Sequence, residues 1–246
     1  MIKNVLVLQH IPCEGLGSLE MFFQAKKVHV DYRQLSNGDS VPRGLKGYDA
    51  LVSLGGPMNV YEVEKYPFLG DEGRLLREAI CTDFPTLGVC LGAQLIGEAL
   101  GAKFDHSPNR EIGVFELKLT EDAKDDPVFS KFPEKFLVGH WHGDMPGLTP
   151  ESKILATSKG CPRQVVRYTP KVYGFQCHFE FTPEAIEGMI NNCSNELEEY
   201  NKLPYIQSAE ELRNQDYKSF NKLLFSFLDY MEKLTDKVVR ELQIKP

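Results

Sequence analysis

A cysteine, a histidine and a glutamate stand in settings suited to acyl transfer. Cys90 lies in Gly88-Val-Cys-Leu-Gly92, with a glycine two residues away on each side. Thr86–Val89 before it has strand character, and Leu95, Ile96, Ala99 and Leu100 after it recur at helical spacing, with Gly101 placed as a C-cap. The spacing predicts a sharp strand-to-helix corner carrying the thiol, a nucleophile elbow with sulfur in place of a serine oxygen. Glycines are needed where such a corner brings backbone close to backbone. The following helix N-terminus is expected to favour thiolate and lower the thiol pKa.

A thiol nucleophile needs an oriented base. Gln176-Cys-His-Phe-Glu180 offers one, because residues i and i+2 of an extended segment project to the same side. Glu180 can then hold the His178 imidazole in one tautomer and favour the imidazolium. Gly55-Gly56-Pro57, following an apolar run, allows backbone N–H groups to approach a reacting carbonyl. The N–H groups of Gly56 and Leu91 are the expected oxyanion pair. Each part alone has an ordinary explanation: a buried thiol, a solvated ion pair, a plain turn. Their combination points to chemistry.

The elements that must position these residues alternate in the first half of the chain. Val5–Leu8, Val28–Tyr32, Tyr48–Leu54 and Thr86–Val89 read as strands, and Leu16–Lys26 and about Leu69–Ile80 as helices. Alternation of this kind predicts an α/β fold with a mostly parallel sheet, helices on both faces, and ligands bound beyond the strand C-terminal ends. Further strands are expected at Ile112–Leu119, Phe136–His140, Lys153–Thr157, Gln164–Tyr168 and Val172–His178, several of them antiparallel. From Thr182 the pattern is helical: Thr182-Pro183 is an N-cap with proline at the first helical position, and Ser208-Ala-Glu-Glu211 is a capping box. Phe220, Leu223, Leu224, Phe227, Leu228, Met231, Leu234 and Val238 form one apolar stripe, expected to pack on the body of the fold.

At 246 residues the chain can bury a substantial core. Its net charge of −7 argues against a nucleic-acid or anionic-membrane binder. The N-terminal apolar run is too short for a signal-peptide core, and nothing approaches the ~20 apolar residues of a membrane span. Six irregularly spaced cysteines with no export signal read as reduced thiols of a cytoplasmic protein. No cofactor is expected. His140, His142 and Asp144 alternate as strand-borne metal ligands could, with Cys177-His178 nearby, but Gly143 suggests a loop and no metal site is expected there.

Leu54-Gly-Gly-Pro57, Gly88-Val-Cys-Leu-Gly-Ala-Gln94, Arg110-Glu-Ile-Gly113, His140-Trp-His-Gly-Asp144, Cys161-Pro-Arg-Gln164 and Gly174-Phe-Gln-Cys-His-Phe-Glu180 occur in one order over roughly residues 50 to 183. In these the sequence resembles the class I, or triad, glutamine amidotransferases, and most the free-standing branch similar to the glutaminase domain of GMP synthase. The resemblance implies a flavodoxin-like three-layer sandwich with a C-terminal helical extension. It implies one domain over 1–246, with a core of about 1–190 and helices over about 183–240. It implies Cys90 as nucleophile, His178 as base and acid, and Glu180 as its orienter. Gln94 is expected to contact glutamine, and Gly55, Gly56 and a His142-Gly143-Asp144 loop to complete the pocket. The product would be glutamate and ammonia, the ammonia passing to a separate synthetase subunit. The chain has no phosphate-loop motif of its own, since Ser53-Leu-Gly-Gly56 lacks a Gly-Lys-Ser/Thr ending. Two alternatives stand: a self-sufficient γ-glutamyl hydrolase or peptidase, and a glutamine-binding protein without turnover. Phe179 replaces the proline that many members carry between the histidine and the glutamate, and the residue after His10 opens a loop containing Cys13, which has no assigned role.

Overall fold

The computed structural model describes residues 2–243, and side chains through residue 234. Its strands are β1 (Asn4–Gln9), β2 (His29–Gln34), β3 (Ala50–Ser53), β4 (Thr86–Val89), β5 (Asp105–Leu119), β6 (Lys135–Met145), β7 (Lys153–Ser158), β8 (Val165–Thr169) and β9 (Val172–Phe175). Its α-helices are α1 (Ser18–Lys26), α2 (Phe68–Cys81), α3 (Leu91–Ala99), α4 (Pro183–Asn192), α5 (Ser194–Tyr200), α6 (Ala209–Arg213) and α7 (Lys218–Gln243).

Among the described residues the strands form one mixed sheet in the order β2-β1-β3-β4-β9-β8-β7-β5-β6. The half from β2 to β9 is parallel; β1, β3, β4 and β9 are short and buried because helices cover both faces, whereas the edge strand β2 is polar and partly exposed. The half from β9 to β6 is antiparallel. Two apolar clusters flank the sheet. One gathers Phe22 and Phe23 of α1, Ile186 and Met189 of α4, and Phe220, Leu224 and Phe227 of α7. The other gathers Leu75, Leu76 and Ala79 of α2 with Leu91, Leu95 and Ile96 of α3. This is the flavodoxin-like three-layer arrangement.

The apolar stripe of α7 is core through Met231, which is 4% exposed. Val238 lies outside the residues whose side chains are described. The Thr182 hydroxyl accepts from the Ala185 N–H, and the Ser208 capping box forms in full. Gly101 adopts φ 77° just after α3, as a C-cap glycine should. Two expectations need correction. β9 ends at Phe175 rather than at His178, because Gln176 N–H turns to the Gln164 carbonyl and His178 N–H to that of Gly139. β6 runs through Met145, so His142, Gly143 and Asp144 lie on a strand and not in a loop; their ladder to β5 continues past a bulge between His106 and Glu111.

Candidate active site

The corner at Cys90 follows from its glycines. Cys90 has φ 51° and ψ −109°, a conformation that L side chains avoid and that costs of order 1–3 kcal/mol. Neighbouring backbone holds it there. Cys90 N–H donates to the Phe175 carbonyl at 2.7 Å, and Gly92 N–H to that of Leu54 at 3.1 Å. A Cβ at Gly88 would lie 2.5 Å from the Gly92 carbonyl group, and one at Gly92 would overlap the Ser53 backbone. Both glycines are therefore steric requirements of the elbow.

His178 and Glu180 follow β9 and come together, with Nδ1 and Oε1 2.7 Å apart. The imidazole stacks on Phe181 at 4.2 Å between centroids and 7° between planes. Three consecutive carbonyls around Glu180 are pinned from distant parts of the chain. Ser18 N–H, at the start of α1, donates to the Glu180 carbonyl at 2.8 Å. The Asn221 amide of α7 donates to the carbonyls of Phe179 at 2.7 Å and Phe181 at 3.0 Å. Gly17, at φ 51°, has no room for a Cβ against the Glu180 carbonyl.

The pair is buried: Cys90 is 7% exposed and His178 1%. Burial opposes a charged imidazole, yet the carboxylate of Glu180, with Cys90, holds His178 well above the usual histidine range. Burial is also the largest influence on Cys90 and pushes the thiol up, against the lowering by His178 and by the Leu91 N–H. The expected lowering by the helix N-terminus is thus present but outweighed. The Nε2 of His178 has no hydrogen-bond partner among the described residues, and the two side chains act on each other electrostatically.

A cavity of about 290 Å³ opens onto Cys90 and is lined by Gly56, Gln94, Trp141, His142, Gly143 and Asp144. Gly55 abuts the cysteine, since a Cβ on it would lie 3.3 Å from Cys90 Cβ. The carbonyl of Gly55 is 3.0 Å from His10 Nδ1, and His10 Nε2 is 2.7 Å from Glu72 Oε2. Ser53 Oγ donates to the other oxygen of Glu72 at 2.6 Å. That buried network fixes the Gly55-Gly56 backbone. The Gln94 amide donates to Gln176 at 3.1 Å, and the Gln176 amide lies 3.5 Å from Cys90 Sγ.

Glu14, Glu196 and Tyr200 also line the cavity and were not singled out from sequence, and Arg110, which opens the Arg110–Gly113 motif, joins them. Arg110 pairs with Glu196 at 2.9 Å and lies over the Tyr200 ring at 4.2 Å. Burial pushes the Glu14 carboxyl up to about 7, against His178 and His10. A Cβ on Gly55 would overlap the Glu14 carboxylate, so the glycine also makes room for that side chain. Asp144 pairs with His106 at 2.6 Å at the exposed rim, while His140 and His142 turn instead toward buried Glu111. A larger groove of about 930 Å³ along α1 and β2 contains none of Cys90, His178 and Glu180.

A family model described as glutamine amidotransferase class-I matches residues 16–196. The glutamine amidotransferase-like protein YfeJ of Salmonella typhimurium is 39% identical over 223 residues, covering 89% of this chain and 93% of that protein. The crystal structure of a glutamine amidotransferase from Thermotoga maritima aligns with a TM-score of 0.84 at 31% identity, covering 94% of this chain and 98% of the other. The glutamine-hydrolysing GMP synthase of Pediococcus pentosaceus is 33% identical over 132 residues, which span 53% of this chain and 24% of that protein. This chain belongs to the class-I glutamine amidotransferase family.

Proposed function

We propose that this class-I glutamine amidotransferase hydrolyses the γ-glutamyl amide of glutamine through Cys90, His178 and Glu180, releasing glutamate and ammonia. The observation that carries the reading is the elbow thiol at the floor of a cavity, beside a histidine whose Nδ1 is held by a carboxylate at 2.7 Å. The Cys90 proton passes to His178 Nε2, and Glu180 stabilises the resulting imidazolium. The thiolate attacks the γ-carboxamide carbon. Charge develops on the carbonyl oxygen, where the N–H groups of Leu91 and Gly56 receive it; losing one such donor costs ~3 kcal/mol. His178 returns its proton to the departing nitrogen, leaving a γ-glutamyl thioester on Cys90. Water that gives a proton to His178 then cleaves the thioester to glutamate. Gln94, Gly55, His142, Gly143 and Asp144 bind the substrate. Glutamine needs no cofactor for these steps.

The chain acts as one domain in the cytoplasm and hands its ammonia to a separate synthetase subunit. Its likeness to a short part of a GMP synthase supports such a partner. No helix among the described residues is long and apolar enough to cross a membrane. A second reading, hydrolysis of a larger γ-glutamyl compound, is favoured by the Arg110, Glu196 and Tyr200 side chains that extend the cavity lining.

The test is glutamate release from L-glutamine by the purified protein beside Cys90→Ala, with γ-glutamyl peptides in parallel. Release from glutamine that vanishes in Cys90→Ala supports the first reading. Turnover of peptides alone moves the assignment to the second. Failure of both, together with failure of a glutamine-like electrophile to label Cys90, removes the nucleophile.

A further inference from the structure

At the edge of the cavity, β5 and β6 carry a buried cluster of which the proposed reaction uses only His142, as a lining residue. Glu111 on β5 pairs across the ladder with His142 on β6, and His140 shares that face two residues earlier. Glu111 and His140 are each 0% exposed, and His142 is 4% exposed. Three of their atoms converge. Glu111 Oε2 is 3.4 Å from His142 Nε2 and 3.6 Å from His140 Nδ1, and the two nitrogens are 3.4 Å apart.

These separations are too long for good hydrogen bonds, which fall at 2.7–3.2 Å. They match another geometry. Zinc bound at 2.0–2.1 Å in a tetrahedron keeps its ligand atoms about 3.3–3.4 Å apart, whereas an octahedral ion at that distance keeps neighbouring ligands about 3.0 Å apart. Ser158 Oγ and the Gln164 amide donate to Glu111 Oε2 at 2.8 and 2.6 Å, and the same amide nitrogen lies 3.2 Å from His142 Nε2, a contact that bound zinc would replace. Glu111 Oε1, His140 Nε2, His142 Nδ1 and Gln164 Oε1, which face away from the converging atoms, are buried without a hydrogen-bond partner among the described residues. Asp144 is not part of the cluster, being paired with His106.

We propose that Glu111, His140 and His142 supply three ligands of a tetrahedral zinc site, with water as the fourth, that pins β5 to β6 beside the active-site cavity. The consequence for the site is positional. The carbonyl of Gly139 accepts the His178 N–H at 2.7 Å, and that of Trp141 lies 3.8 Å from Cys90 Sγ. A metal fixing His140 between them fixes the strand that both reactive groups lean on.

The experiment uses the Cys90→Ala protein, which removes the thiol that could hold zinc together with His178. The protein is stripped with a chelator, loaded with zinc sulfate and desalted, and its metal content is measured. The expected result is one zinc per chain, lost when His140→Ala is added. Zinc at about 100 times its dissociation constant should raise Tm by about 5–10 °C. Glu111→Gln, which retains the shape of the side chain, serves if the alanine variant does not fold, and should likewise abolish zinc retention. Cobalt in place of zinc should give the intense visible absorption of a tetrahedral centre. No retained zinc in folded Cys90→Ala protein, zinc retained without His140 or without the Glu111 charge, or a weakly absorbing octahedral cobalt centre would each overturn the proposal. None of these readouts depends on turnover, so the result stands apart from the proposed reaction.

Discussion

Replacing Asn221 by leucine keeps the size of the side chain and removes its donors. The Asn221 amide is 8% exposed and supplies hydrogen bonds to the carbonyls on either side of Glu180. Phe179, Phe181, Phe220 and Leu224 enclose the region, all at 4% exposure or less, so water does not readily replace the lost bonds. A buried acceptor left unpaired costs about 1–3 kcal/mol, and leucine returns part of that as apolar burial. The expected net loss is about 2–4 kcal/mol, measured by urea unfolding, with a fall in Tm of roughly 4–16 °C for a chain of this size. Catalysis should suffer separately. Small displacements of catalytic groups can cost on the order of 100-fold, so kcat for glutamate release should fall about 10- to 100-fold at a temperature where the variant is fully folded. Ser226→Ala, on the exposed face of the same helix, should stay within about 0.5 kcal/mol of the parent. An Asn221→Leu protein as stable as the parent would refute the clamp. One that loses stability with kcat intact would refute its link to Glu180.

Glu14 should give a pH-dependent signature. Its carboxyl is raised from 4.5 to about 7, so the native state favours the protonated form. The penalty is absent below pH 4.5, grows as pH rises toward 7 and is complete above it. Glu14→Gln should therefore stabilise the protein by about 1–3 kcal/mol at pH 8, discounted because the side chain is only half-buried, and by almost nothing at pH 4; equal gains at both pH values would be inconsistent with this account. Two glycines should respond in opposite directions. Gly92→Ala places a methyl group into the Ser53 backbone and should cost more than about 3 kcal/mol or prevent folding, whereas Gly188→Ala, in α4 with open space around it, should add about 0.4–1 kcal/mol in thermal or urea unfolding. Glu72→Leu leaves His10 buried beside an apolar group and should cost about 3–5 kcal/mol in urea unfolding. A loss below 1 kcal/mol would mean that the His10–Glu72 pair does not anchor Gly55.

The nucleophile elbow was readable because its requirements are local. A thiol between two glycines at a strand-to-helix boundary has few other uses, and each glycine proves to be a steric necessity. His178 and Glu180 were readable because two residues of extended chain suffice to align them. Glu72 was not recognised, although it lies one helical turn before Leu75 and Leu76, on the same buried face of α2. Its partner His10 is 62 residues away. Asn221 likewise interrupts an apolar stripe, and a polar residue on a buried helix face is the available sign of a distant partner. Glu111 fell outside the expected strand, which began at Ile112, while the observed β5 begins at Asp105. The thiol pKa went astray for a different reason. The dipole effect is local, but the burial that outweighs it depends on the assembled cavity.

The place of β9 in the sheet has a consequence for biosynthesis. β9 lies between β4 and β8 and so joins the parallel half of the sheet to the antiparallel half. Yet it is the last of the described strands to be made, on the order of 80 residues after β4. At ~5–20 residues per second, the β4 edge waits roughly 4–16 s for its neighbour. During that interval Cys90 lacks the Phe175 carbonyl that anchors its corner and the histidine that will share its proton. A nascent chain therefore presents an open strand edge with a free thiol at its tip, and the finished protein covers that edge with β9.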